Sequence, residues 1–248
     1  MKRFLQYSAM ALVCAAMVCF MAYAGWALFC AGPDTNGAAA YAYAQPEIEY
    51  VPDAAVPEAQ DAPDVQARPE PLLRDGGRVM FIGNSLVQGL ASACGDGRAD
   101  FLCRQGISLP SLARMLDGFD PGPFDLFVIG MGSNELGLYS KEEFTALYGQ
   151  VLDRLGGKTA VCLSVPPVCE EKSRYGSRVS IANIESENGW IEDMCGNRDG
   201  AIYLDCSGFF GGSLDPGWTG DGLHLSGYAY GEWYAWIMAR LTDGQAGR

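Results

Sequence analysis

From residue 77 onward, two hydrophobic rhythms alternate along the chain. Short continuous apolar runs occupy 78–83, 99–104, 126–130, 159–165 and 201–205, each bounded by glycine, proline or polar residues. Such runs are what strands buried on both faces require. Between them, apolar residues recur at helical spacing. The run Leu86-Val87-Gln88-Gly89-Leu90 begins one helix, and Leu109, Leu112 and Leu116 share one face of the next. Phe144, Leu147, Val151 and Leu155 stay in register over Lys141–Leu155, and two more helices are predicted over Ile181–Met194 and Tyr228–Leu241. Strands separated by helix-length segments imply a parallel sheet with right-handed crossovers, hence a three-layer α/β/α fold. The run Leu126-Phe127-Val128-Ile129 is the most continuously apolar and is expected at the centre of the sheet.

The rhythm is absent ahead of residue 77. Residues 1–32 open with Lys2 and Arg3 and continue into an uncharged apolar stretch from Ala9 to about Ala31. A bilayer takes roughly 20 apolar residues to cross, and a signal-peptide core only about 7–15. An uncleaved signal anchor, N-terminus inside, is the favoured expectation. A cleaved signal peptide is the alternative, with small residues at Ala22-Tyr23-Ala24 and Ala42-Tyr43-Ala44. Cys30 hints at lipidation, but the bulky Phe29 before it argues against that. Residues 33–76 are rich in Ala, Pro, Asp and Glu and read as a disordered, extended tether. The globular domain is expected over 77–248.

The formal net charge of −13 argues against nucleic acid as a partner. One histidine and no Cys-x-x-Cys pair leave too few ligands for a recognisable metal site, and no cofactor is expected. Six of the nine cysteines fall in the globular part: Cys94, Cys103, Cys162, Cys169, Cys195 and Cys206. In an exported chain an even number points to disulfides. Cys94–Cys103 and Cys195–Cys206 are the expected pairs, because each flanks a short loop-containing stretch; buried thiols are the alternative.

Ligands of such a sheet bind beyond the carboxyl ends of its strands, and the reactive residue types gather there. Ser85 follows the first strand in Phe81-Ile82-Gly83-Asn84-Ser85-Leu86. A serine on a sharp strand-to-helix turn exposes its hydroxyl, as a nucleophile must. A helix cap by Asn84 or Ser85 is the plainer reading of that motif taken alone. The single histidine, His224, lies in Asp221-Gly222-Leu223-His224, just before the last helix. Three-residue spacing lets the Asp221 carboxylate reach one imidazole nitrogen and leaves the other free to take a proton from a serine. Gly106 follows the second strand, and Gly132-Ser133-Asn134-Glu135 the third. The Ser85 and Gly106 N–H groups and the Asn134 side-chain amide are candidate donors to an oxyanion. Singly, Gly106 is also a turn glycine and Asn134 a helix cap. Most aromatics near the end of the chain keep helical spacing; Trp218, in a Gly/Pro-rich loop close to His224, is the one nominated for substrate contact.

The ordered set Gly83-Asn84-Ser85-Leu86, Gly106, Gly132-Ser133-Asn134-Glu135 and Asp221-Gly222-Leu223-His224 resembles the SGNH hydrolases, also called the GDSL esterase/lipase family. The resemblance covers essentially all of 77–248. It implies a flavodoxin-like five-stranded parallel sheet of order 2-1-3-4-5. It implies Ser85 as nucleophile, His224 as base, Asp221 as its orienting acid, and Ser85, Gly106 and Asn134 as the oxyanion hole. Asn84 and Glu135 depart from the family pattern, which has aspartate at both positions. The expected activity is hydrolysis of an O-acetyl or other short acyl ester on a cell-envelope or extracellular glycan, or on a lipid, by an enzyme held at the membrane. An O-acetyltransferase using the same triad and a non-catalytic glycan-binding module on the same fold are the alternatives.

Overall fold

A computed structural model describes residues 70–95 and 97–243. The expected membrane segment and most of the expected tether lie outside these residues. Among the described residues, no helix is long and apolar enough to cross a membrane.

Five parallel strands form one sheet in the order β2-β1-β3-β4-β5. They are β1 (Val79–Gly83), β2 (Ala99–Cys103), β3 (Leu126–Gly130), β4 (Ala160–Leu163) and β5 (Ala201–Leu204). The helices are α1 (Ser85–Ala93), α2 (Leu109–Met115), α3 (Lys141–Asp153), α4 (Ile181–Gly196), the single turn α5 (Ser207–Phe210) and α6 (Gly227–Thr242). As expected, β3 is central. Its apolar run is continuous because both faces are covered. Leu126 and Val128 join one core cluster, with β1 Phe81, α1 Leu90 and α6 Trp233. Phe127 and Ile129 join the other, with α2 Leu112, α3 Phe144 and α4 Ile191. The edge strands β2 and β5 are mostly half-buried. At about 1.5–3 kcal/mol for each large apolar side chain removed from water, the central strands and the helix faces packed on them together supply the driving force for assembly.

Local signals set where the helices begin. Ser140 and Glu143 close a reciprocal cap on α3, and the Ser180 and Ser226 hydroxyls cap α4 and α6. At the β1–α1 turn the Asn84 carboxamide oxygen accepts the Leu86 N–H at 3.0 Å. Gly83 is needed there for a steric reason. It stands beside Gly130 in register, and a Cβ on it would lie 2.3 Å from the Gly130 carbonyl oxygen.

Two expectations about the chain are corrected. The domain begins before residue 77: Leu73 is buried in the core and its N–H donates to the Leu241 carbonyl at 3.0 Å. The six described cysteines are thiols, so neither expected disulfide is present. Cys195 lies in the cluster on one face of the sheet and Cys206 in the cluster on the other, with the sheet between them. Cys94 ends α1 near the start of β2, whereas Cys103 is the last residue of β2. That strand alone spans about 13 Å, against the roughly 4.4–6.8 Å between Cα atoms that a disulfide allows. The thiol facing Cys195 is Cys162 of β4, to which it is hydrogen-bonded.

Candidate active site

The turn after β1 presents Ser85 as the first residue of α1. Asn84 holds this turn from both sides, accepting the Leu86 N–H and donating through Nδ2 to Ser133 Oγ at 2.9 Å. The cap reading and the nucleophile reading therefore both apply, to neighbouring residues. Capping by Asn84 is what fixes Ser85. The half-buried Ser85 Oγ lies 2.9 Å from His224 Nε2.

His224 reaches Ser85 from the loop that precedes α6. Within Asp221–His224 the carboxylate folds back on its own backbone: Oδ1 accepts the Leu223 N–H at 3.0 Å and the His224 N–H at 2.8 Å. Oδ2 then stands 2.8 Å from His224 Nδ1. An ionised Asp221 can only accept, so Nδ1 carries the proton and Nε2 is left to accept the Ser85 hydroxyl. Burial alone would raise the Asp221 carboxyl. The hydrogen bonds from the Tyr175 hydroxyl, the His224 ring and the Leu223 and His224 N–H groups outweigh it and hold the carboxyl well below the usual range.

Tyr175 is the member of this group that sequence reasoning missed. Its hydroxyl donates to Asp221 Oδ2 at 2.6 Å and lies 3.1 Å from His224 Nδ1. Burial, followed by the Asp221 carboxylate, pushes the phenol up to about 12, so it stays a donor. Its segment is stitched to the Asp221 loop by backbone pairs: Cys169 N–H to Gly222 O, and Arg174 N–H to Asp221 O. Gly222 permits this closeness. Its φ is +89°, and a Cβ there would stand 2.5 Å from the Ser173 nitrogen. The chain around 175 has neither periodicity nor motif, so nothing in the sequence ties it to Asp221.

Beyond β2, Gly106 sits in an exposed turn at φ +67°. Among the described residues, neither the Ser85 nor the Gly106 N–H is engaged in a backbone hydrogen bond outside the regular elements, and as the first residue of α1 Ser85 has no intrahelical acceptor. Asn134 Nδ2 donates to the Ile107 carbonyl at 2.9 Å, which anchors the carboxamide and leaves its second hydrogen. Ser85, Asn134 and His224 line one open cleft of about 140 Å³ that also takes in Leu136, Tyr175 and Arg178.

Behind this cleft the Gly132–Gly137 loop rests on two buried glutamates. Glu135 Oε1 accepts the Leu109 N–H at 2.9 Å, capping α2 in place of Ser108, whose side chain makes no cap. Glu187 of α4 accepts the Gly137 N–H at 3.0 Å. Trp218 does not line the cleft. It packs on Phe209, with ring centroids 5.5 Å apart, because the turns at 207–210 and 216–218 fold together over the core. The expectation that it contacts substrate is corrected accordingly.

No protein-family model matches the chain, and no curated protein matches it in sequence. Solved structures do match in fold. A GDSL-like lipase from Bacteroides thetaiotaomicron is 19% identical with a TM-score of 0.57, covering 71% of this chain and 91% of that one. A carbohydrate esterase of family 3 from Talaromyces cellulolyticus is 17% identical at a TM-score of 0.51, covering 66% and 96%. A member of the lipolytic G-D-S-L family from Veillonella parvula is 8% identical at 0.51, covering 66% and 97%. The strand order, the strand-end cleft and these likenesses together give the described domain the SGNH hydrolase fold.

Proposed function

We propose that this chain is an exported, membrane-tethered serine esterase that removes O-acetyl or other short acyl groups, on cell-envelope or extracellular glycans. The observation that carries the reading is the unbroken line from Ser85 Oγ to His224 Nε2 at 2.9 Å and from His224 Nδ1 to Asp221 at 2.8 Å. It lies where the carboxyl ends of the strands open. In this mechanism His224 takes the Ser85 proton as Oγ bonds to the ester carbonyl carbon. The carbonyl oxygen becomes an oxyanion facing the Ser85 N–H and the Asn134 carboxamide, which line the cleft, with the Gly106 N–H from the neighbouring turn as the third donor of the proposal, each worth about 10²–10³ in rate. Collapse breaks the bond to the leaving alcohol, which takes the proton from His224. Water, deprotonated by His224, then attacks the acyl-serine, and release of the acid restores the Ser85 hydroxyl.

The glycan ester is supported by the expected location and by a fold shared with a carbohydrate esterase. The binding-module alternative rests on Asn84 and Glu135, and both have structural duties compatible with catalysis, as caps of α1 and α2.

The test is hydrolysis of p-nitrophenyl acetate by the full-length chain beside its Ser85→Ala variant. A loss of at least about 10³-fold in kcat is expected; equal activity in the two overturns the reading. The tether is tested by fractionation: the full-length chain should sediment with membranes, and removal of residues 1–32 should release it.

A further inference from the structure

Arg178 sets a charge at the cleft that the proposed chemistry does not use. It lines the same space as Ser85 and His224. Its side-chain stem lies beside Gly137, at the end of the loop that carries Asn134. Its backbone is pinned to α4, since the Arg178 carbonyl accepts Asn183 Nδ2 at 2.8 Å. Among the described residues no carboxylate pairs with its guanidinium, whereas Arg74, Arg78, Lys141, Arg154 and Arg198 each have one. No other lining residue of the cleft carries a fixed charge. Arg174, on the same Ser173–Val179 segment, adds a second cation, and no acid lies between them.

What sets these two cations apart is their place beside the reaction centre, in a chain with 30 acids and 17 lysines and arginines. Most anionic solutes are repelled by such a chain at long range. An arginine at the cleft restores attraction over the last few ångströms, where its planar fork can take a carboxylate or phosphate through two hydrogen bonds. Asp221 forms no ion pair with it: the hydrogen bonds of that carboxylate go to Tyr175, His224 and two backbone N–H groups.

We propose that the natural ester is itself anionic, carrying a carboxylate or phosphate that Arg178 binds while Ser85 attacks the acyl group. This rests on the esterase reading and narrows its substrate to a charged acylated molecule.

The test compares charged esters with neutral ones of matched shape, in the full-length chain. One pair places the charge on the alcohol side: p-acetoxybenzoate against phenyl acetate, with p-acetoxyphenyl phosphate as the phosphate arm. The other places it on the acyl side: p-nitrophenyl hydrogen adipate against p-nitrophenyl hexanoate. The ratio of kcat/KM, charged over neutral, should fall about 10- to 100-fold in Arg178→Gln for at least one pair, as expected for loss of hydrogen bonds to a charged group. Arg178→Lys should recover part of it, and added salt should lower the wild-type ratio. Whichever arm moves most identifies the anion. Ratios unchanged within twofold in every arm overturn the proposal. A second readout is independent of turnover. Titration of the Ser85→Ala protein with p-acetoxybenzoate should show binding that Arg178→Gln in the same background weakens by a similar factor. If the wild-type chain hydrolyses nothing, the esterase reading fails, and this titration still decides whether Arg178 holds an anion.

Discussion

Asp221 accepts more hydrogen bonds than a triad carboxylate needs to orient a histidine. His224 Nδ1, at 2.8 Å, and the Tyr175 hydroxyl, at 2.6 Å, both bond to Oδ2. The phenol therefore competes with the imidazole for the same negative charge. It fixes the carboxylate in place while diluting the field that would favour imidazolium. Tyr175→Phe removes the donor and keeps the ring. Asp221 then turns its full charge on His224. The acid limb of the kcat/KM profile should move to higher pH, and kcat should fall several-fold as Asp221 loses an anchor. A merely structural tyrosine would lower activity without moving the limb, so the profile of the variant decides between the two.

At the scale of elements, Ser85 is placed by how α1 packs as much as by its own turn. Gly89, one turn into α1, lies against α6, where a Cβ would stand 2.0 Å from Tyr230 Cζ. Alanine in mid-helix is better than glycine by about 1 kcal/mol. Overpacking against a buried ring costs about 1–3 kcal/mol, and steric conflict this severe sits at the top of that range. The expected net result of Gly89→Ala is a loss of about 1–2 kcal/mol in urea unfolding, with a fall in esterase activity as α1 and Ser85 shift. A gain in stability would mean that α6 yields easily. Elements of this kind were legible in the sequence wherever a period or a cap repeats. The continuous runs marked all five strands to within a residue or two, because strands covered on both faces leave no polar interruption. Ser85, Asp221 and His224 were legible because each sits at a strand end or before a helix, where spacing constrains reach. Tyr175, Arg178 and Glu187 were not, because their roles come from tertiary stitching. The segment after β4 is drawn to Gly222 by backbone hydrogen bonds that any residues could make. The disulfide expectation failed for a related reason: separation along the chain does not say on which face of the sheet a cysteine lies.

For the molecule as a whole, the cleft is supported at a cost in stability that depends on pH. Glu187 is 1% exposed, and its Oε2 has no hydrogen-bond partner. Burial raises its carboxyl, the Gly137 N–H opposes that, and the nearby Glu135 raises it again, leaving it at about 7. In the unfolded chain a glutamate titrates near 4.3. Between about pH 4.5 and 7 the folded protein thus holds a proton that the unfolded chain has released, and stability falls as pH rises through that window. Below it the two states are protonated alike; above it the loss is complete and constant. Asp221 acts in the opposite sense, since its lowered carboxyl contributes stability that disappears only in stronger acid, outside the window. Glu187→Gln can still accept the Gly137 N–H and has nothing to ionise. From pH 5 to 8 its unfolding free energy should fall by about 2 kcal/mol less than that of the wild type, the remaining slope belonging to other raised groups such as the buried Glu135. The two curves should therefore converge towards pH 5 and separate towards pH 8, with the variant the more stable at the alkaline end. Parallel curves would show that Glu187 stays ionised throughout. The carboxylate would then be held by the protein's interior rather than neutralised in it, and Gly137 would be anchored by a charge at every pH at which the cleft works.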